Sequence, residues 1–209
     1  MAARPSSRGF EKFQTVNRPD GLSASDVRWF SETVLRMYGC LTERELFTVS
    51  GGAIHVKFSS VVTVVEEVAA DFSSFALHSF HGTWTPPPWY ASAIADNPIA
   101  QHVTKARRDG TFKNSELVSK RDLENTNAYN LILRPAGLRD VIMAATHIRP
   151  DVACGLGVAR DMPFGSSESH LLELTRRHFH AAIVRLRRAN GSRGLQPLAD
   201  STIHARRDG

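Results

Sequence analysis

Nine histidines are the first residues to weigh for chemistry, and their spacing argues against it. His78 and His81 stand three apart on a strand-like run, which places them on opposite faces. His178 and His180 stand two apart on a helical stretch, about 200° round from each other. The chain has no His-Glu-x-x-His, no Cys-x-x-Cys and no carboxylate-rich loop, the spacings that hold zinc or calcium. Gly155-Leu156-Gly157 lacks the third glycine, the following helix and the lysine that a phosphate cradle needs. Glycines there instead let a helix or a ligand approach the strand closely. No Gly-x-Ser-x-Gly elbow presents a nucleophilic serine. Cys154 falls in an apolar run, where a thiol packs as a small hydrophobe. These absences point away from an enzyme: no catalytic residue, metal ligand or cofactor is assigned.

The elements that carry these residues alternate between helical and strand periods. Ser23 to Tyr38 reads as a helix capped by Ser23 or Ser25, with Val27, Phe30 and Val34 on one face. Leu41 to Phe58 is ambiguous by itself, because Ser50-Gly51-Gly52 interrupts a helical pattern. Val61–Val68 and Ser74–His81 read as a pair of strands turning at Ala70-Asp71. Gly82 to Pro88, with three consecutive prolines, reads as a stiff connector. Asn97-Pro98 opens a helix, with asparagine as the cap and proline in the first turn. Phe112–Val118 is a short link with an edge strand. Ser119 to Arg134 is expected to be one helix ended by Pro135-Ala136-Gly137. Leu138–Ile148 and Val152–Arg160 form a hairpin, and Ser166–Arg188 closes the domain as a long helix. That order implies an α+β fold, an antiparallel sheet with helices on its faces.

Leu123, Thr126, Tyr129-Asn130, Arg134-Pro135, Gly137-Leu138 and Asp140 match the pattern L..T..YN...RP.G(I/L).D. This stretch resembles the GAF-like sensory domain of LuxR-type bacterial transcriptional regulators. Phe164, Glu168, Leu171-Leu172-Glu173-Leu174, Arg176 and His178 resemble the stretch that closes the same domain. Gly165 and Arg177 depart from it, standing where that family has Ser and Pro. The resemblance is good over 97–188 and loose over 23–96. It implies a GAF-like antiparallel sheet and a helical 41–58. It also implies an unknown small-molecule ligand held between the sheet and its covering helices and loops, in a pocket lined from the strands and the Trp84–Tyr90 loop. Phe80, Trp84, Tyr129, Met143 and His147 are the candidate ligand-binding residues on that basis, since such pockets pair aromatic walls with a few polar tips. For each one taken alone, packing in the core is the favoured reading. The resemblance further implies a homodimer, or pairing with a related regulator, through the terminal helices, with Phe179 and Ile183 near the contact.

The chain of 209 residues is long enough for one domain, read as 21–190 between a disordered arm (1–20) and a disordered basic tail (191–209). Two cysteines make no disulfide framework, and the expected location is cytoplasmic, with no membrane span. Eight arginines against two aspartates after residue 175 give a basic end. It is either a solvated helix face and loose tail or a weak, non-specific nucleic-acid contact. Gly194-Leu195-Gln196-Pro197 resembles the entry to the helix-turn-helix domain of LuxR-type regulators, but 19 residues are too few to build one. The expected function is a non-enzymatic sensory or regulatory domain without sequence-specific nucleic-acid binding of its own. The alternative is a dimerisation or scaffold module without a ligand.

Overall fold

The structure is a computed structural model, and it describes residues 21–82 and 86–191. The terminal arm (1–20) and all of the basic tail beyond Gly191 lie outside the described residues.

Two helices open the domain. α1 (Ala24–Gly39) starts on a capping box in which Ser23 and Asp26 satisfy each other's backbone N–H groups. α2 (Glu43–Lys57) starts on a second box from Thr42 and Glu45. The Gly51-Gly52 pair does not break α2, because it serves a close approach. A Cβ on Gly51 would meet the His81 ring at 3.0 Å and the Ser79 hydroxyl at 3.1 Å.

A five-stranded antiparallel sheet follows, in the order β2-β1-β5-β4-β3. Its strands are β1 (Val62–Ala69), β2 (Phe75–Gly82), β3 (Gly110–Lys113), β4 (Asp140–Arg149) and β5 (Val152–Arg160). β1 and β5 are central and buried along their whole length, so both of their faces are covered. One face carries α1, α2 and α7 (Ser166–Asn190), over a core of Phe47, Val65, Leu156 and Phe179. The other carries α3 (Tyr90–Ile94), α4 (Pro98–Ala106) and the segment to Gly137, over Val64, Ile99, Ile132 and Val141. This is the α+β arrangement that the sequence implies.

Four local expectations are corrected. Ser119–Arg134 is not one helix. After α5 (Asn114–Leu117), α6 (Lys120–Glu124) stops, and a π-helix (Ala128–Leu133) starts separately. The break is held by Asp96, whose carboxylate accepts the N–H groups of Asn127 and Ala128 at 2.6 and 2.9 Å. Leu138 and Arg139 precede β4, which begins at Asp140. His78 and His81 do not face opposite ways. A bulge makes Val65 pair with Ser79 but Glu66 pair with Leu77, so one extra residue turns the strand. Both rings therefore meet α2: His78 stacks at 4.5 Å from Phe47, and His81 lies 5.8 Å from His55. Phe179 and Ile183, expected near a dimer contact, are 1% and 0% exposed within the chain. Phe179 packs 6.0 Å from Phe47 of α2, so the wide apolar face of α7 is used internally.

The β4-β5-α7 junction is polar and partly buried. Arg160 forms a fork onto Glu168 at 2.7 and 2.8 Å, and Glu168 accepts the Gly165 N–H at 2.7 Å. The Gly165 N–H at the start of α7 is thus satisfied by the carboxylate in the first turn. Among the described residues no helix is long and apolar enough to cross a membrane.

Candidate functional site

Alternation along β1 sends neighbouring carboxylates to opposite faces of the sheet. Val62, Val64, Glu66 and Val68 point under α3 and α4, while Val65 and Glu67 point under α2 and α7. Glu67 is neutralised on its side. Its Oε1 accepts from Arg187 at 2.9 Å, and Arg187 also pairs with Glu43 at 2.7 Å. His78 Nε2 lies 3.3 Å from the same Glu67 oxygen, close but without hydrogen-bond geometry.

Glu66 has no such support. It is 1% exposed, and its recorded partner is the Tyr90 hydroxyl, which donates to Oε2 at 3.4 Å. Burial pushes its carboxyl up to about 7, against the opposing pull of the Tyr90 hydrogen bond. Burial also pushes the Tyr90 phenol well above its ordinary value.

Glu66 lies at the wall of a cavity between the sheet and its second helical layer. The cavity encloses about 490 Å³ of atom-free space, the open space at its mouth included. Its floor is Val64, Gly157 and Met143, from three adjacent strands; its roof is Tyr90, Ile94 and Ile132. Among the described residues Asn97 is the remaining polar group in the wall, and its side chain is already engaged as the α4 cap, accepting from Ile99 N–H at 2.9 Å. A second hollow of about 280 Å³ continues along the sheet beneath Ala100, Val103 and Thr104. Glu66 and Met143 line both.

β5 makes room for this arrangement. A Cβ on Gly155 would sit 2.9 Å from the Met143 sulfur. On Gly157 it would sit 2.8 Å from a Val64 methyl and 3.0 Å from the Met143 methyl. The Gly-Leu-Gly run is therefore a trough in the floor, filled by a methionine from the neighbouring strand. Cys154, between Ala153 and Gly155, is 1% exposed; burial pushes its thiol well above the ordinary value and keeps it protonated.

Of the residues that the sequence singled out, Met143 lines the cavity. Phe80 and Tyr129 are partly buried and pack against the same core. Phe80 stands on the cavity face of β2, opposite Val64. His147 lies elsewhere. Its Nδ1 and its backbone N–H are both 2.8 Å from Asp109 Oδ1, which fixes it at the end of β4. Trp84 lies outside the described residues. Tyr90, at the end of the loop expected to line the pocket, does line it, whereas sequence reasoning missed Glu66 and Asn97 as wall residues. The available signal was Glu66-Glu67 itself, two carboxylates inside an apolar strand run, which burial must pair or neutralise.

No family model matches the sequence, and neither does any curated protein. Solved structures do match. The chain is similar to the LBD domain of VqsR from Pseudomonas aeruginosa, with a TM-score of 0.62 and 18% identity, over 75% of this chain and 95% of that one. It is similar to the GAF domain of a phosphoenolpyruvate-protein phosphotransferase from Acinetobacter, with a TM-score of 0.57 and 10% identity, over 82% and 100%. It is also similar to free methionine-R-sulfoxide reductase from Neisseria meningitidis, solved in complex with its substrate, with a TM-score of 0.58 and 12% identity, over 81% and 96%. Five antiparallel strands in this order, between two helical layers, give the chain a GAF-like α+β fold.

Proposed function

We propose that this chain is a non-enzymatic sensory or regulatory domain, related to those of LuxR-type regulators, that binds a small molecule between its sheet and the α3–α4 layer. The observation that carries the reading is the cavity: an apolar hollow, open at its mouth, whose wall holds a buried carboxyl beside a phenol. Its floor is a trough at Gly155 and Gly157 that only the movable Met143 side chain and a Val64 methyl occupy. The LBD domain of VqsR supports the regulatory link through its fold and the reductase complex supports occupancy of such a domain by a small molecule. The reductase also shows that this fold can host catalysis. Among the described residues, the groups that line the cavity offer no nucleophile activated by a base.

Native mass spectrometry of the purified chain, followed by a thermal-shift screen of a metabolite panel, tests the reading. A ligand at a hundred times its dissociation constant stabilises the folded state by about 2.7 kcal/mol. For a domain of this size that raises Tm by roughly 5–10 °C. Ile132→Trp, which fills the cavity from its roof, should abolish the shift. A folded protein that no panel member stabilises, with no co-purified mass, would overturn the proposal.

A second reading, a pairing module, has one observation in its favour. The outer face of α1 exposes Leu35, 73% accessible, with Val27 and Tyr38 on the same helix. Sedimentation of Leu35→Glu against the parent chain separates the two readings.

A further inference from the structure

We infer that the cavity takes an elongated amphipathic ligand with a positively charged nitrogen near its middle, bound by Glu66 where two apolar compartments meet at Met143. The inference rests on the reading of this cavity as a small-molecule site.

The shape comes from the strand register. Glu66 pairs with Gly155, and Gly155 with Ala145; one step along, Val64 pairs with Gly157, and Gly157 with Met143. Met143 therefore starts in one row, and its sulfur leans over Gly155 in the next, beside Glu66. The first compartment lies on one side of this point and the second on the other. Methionine is unbranched and turns about three bonds, so it is a movable partition and not a wall. With Met143 turned aside, the two hollows form one trough that follows β1 from Val62 to Val68. At strand rise that is roughly 20 Å.

The charge comes from what surrounds the junction. Among the described residues no basic side chain pairs with Glu66, whereas the adjacent Glu67 has Arg187. A neutral ligand supplies no counter-charge, so the buried carboxyl is held as its protonated acid and adds no ionic contact. An anionic ligand adds a like charge. A cation supplies the missing counter-charge, and an ammonium also offers donors to the carboxylate and to the Tyr90 oxygen, which lies 3.4 Å from it. The apolar rows on both sides then require an apolar arm on each side of the nitrogen.

Three probes at pH 7.5 test this: dibutylamine, its neutral analogue dibutyl ether, and one-armed butylamine. Calorimetry gives the affinities, and the ¹³C-methyl resonance of Met143, assigned with Met143→Leu, reports the junction. The Met37 methyl, fully buried in the opposite core, reports that each variant is folded. Dibutylamine should bind about tenfold or more tightly than either comparator and move the Met143 resonance, and Glu66→Gln should lose about that factor for the amine alone. Equal binding of amine and ether, unchanged amine affinity in folded Glu66→Gln, or binding that leaves the Met143 methyl unmoved would overturn the inference. Each leaves the small-molecule reading standing. Absence of binding by all three probes also overturns it, and the metabolite screen then decides the broader reading separately.

Discussion

Glu66→Gln should remove a pH dependence that the fold imposes on its own stability. The Glu66 carboxyl stands at about 7 in the folded chain against an ordinary 4.5. The folded state therefore holds this proton more tightly than the unfolded state. The contribution to stability is fully present below about 4.5 and declines as pH rises toward about 7, where the buried group must ionise. At about 1.4 kcal/mol per tenfold, the gap amounts to roughly 3 kcal/mol lost by pH 8.5. Glutamine keeps the shape and cannot ionise. Any fixed cost of its amide cancels when one difference is subtracted from another. Urea unfolding, followed by tryptophan fluorescence from pH 4.5 to 8.5, gives the stability of each protein. The Gln variant should gain on the parent by roughly 3 kcal/mol across that range. Asp26 and Glu173, both held at about 2 by hydrogen bonds from Lys57 and Arg176, lose their contributions below this range and do so in both proteins. A stability difference that stays flat with pH would refute the argument that Glu66 is desolvated without a counter-charge.

Gly157→Ala should cost about 1–3 kcal/mol, because its Cβ meets a stiff Val64 methyl at 2.8 Å, whereas Gly155→Ala, which meets the mobile end of Met143, should be nearly neutral; chemical denaturation compares them. Arg187→Leu should destabilise the chain by roughly 3 kcal/mol, since it strands the buried Glu67 carboxylate, and adding Glu67→Gln should recover part of that loss in the same assay. Asn97→Ala should cost about 1 kcal/mol through loss of the α4 cap, with Asn97→Ser restoring most of it in thermal melts.

The features that the sequence made legible are those decided within a few residues. Ser23 and Asn97 announce their helices because a cap acts on N–H groups two or three positions ahead. Val62–Val68 reads as a strand because its β-branched run is unbroken except by the two glutamates. What could not be read depends on distant partners. The break before the π-helix is set by Asp96, some thirty residues upstream of the N–H groups that it accepts. The bulge that turns His78 toward α2 depends on pairing between β1 and β2, not on the composition of either. The apolar excess on α7 was visible, but not whether α2 or a second copy would cover it. For the site, Met143 was accessible as a strand residue beneath the pocket that the resemblance implies. The role of Glu66 appears only when Gly155 and Tyr90, nearly ninety residues and twenty-four residues away, are brought beside it.

The order β2-β1-β5-β4-β3 also sets how the cavity comes into being as the chain folds. Its floor joins two hairpins, β1-β2 and β4-β5, each closed by a short turn and each able to form early. The seam between them, β1 against β5, runs from Val62 with Ala159 to Ala69 with Val152, a separation of more than eighty residues. Closing so long a loop spends chain entropy before the seam rewards it, and non-local pairing of this kind slows folding toward milliseconds to seconds. Glu66 and Gly155 face each other across that seam. Until it zips, the carboxyl remains in water; the step that completes the sheet is the same step that buries the charge.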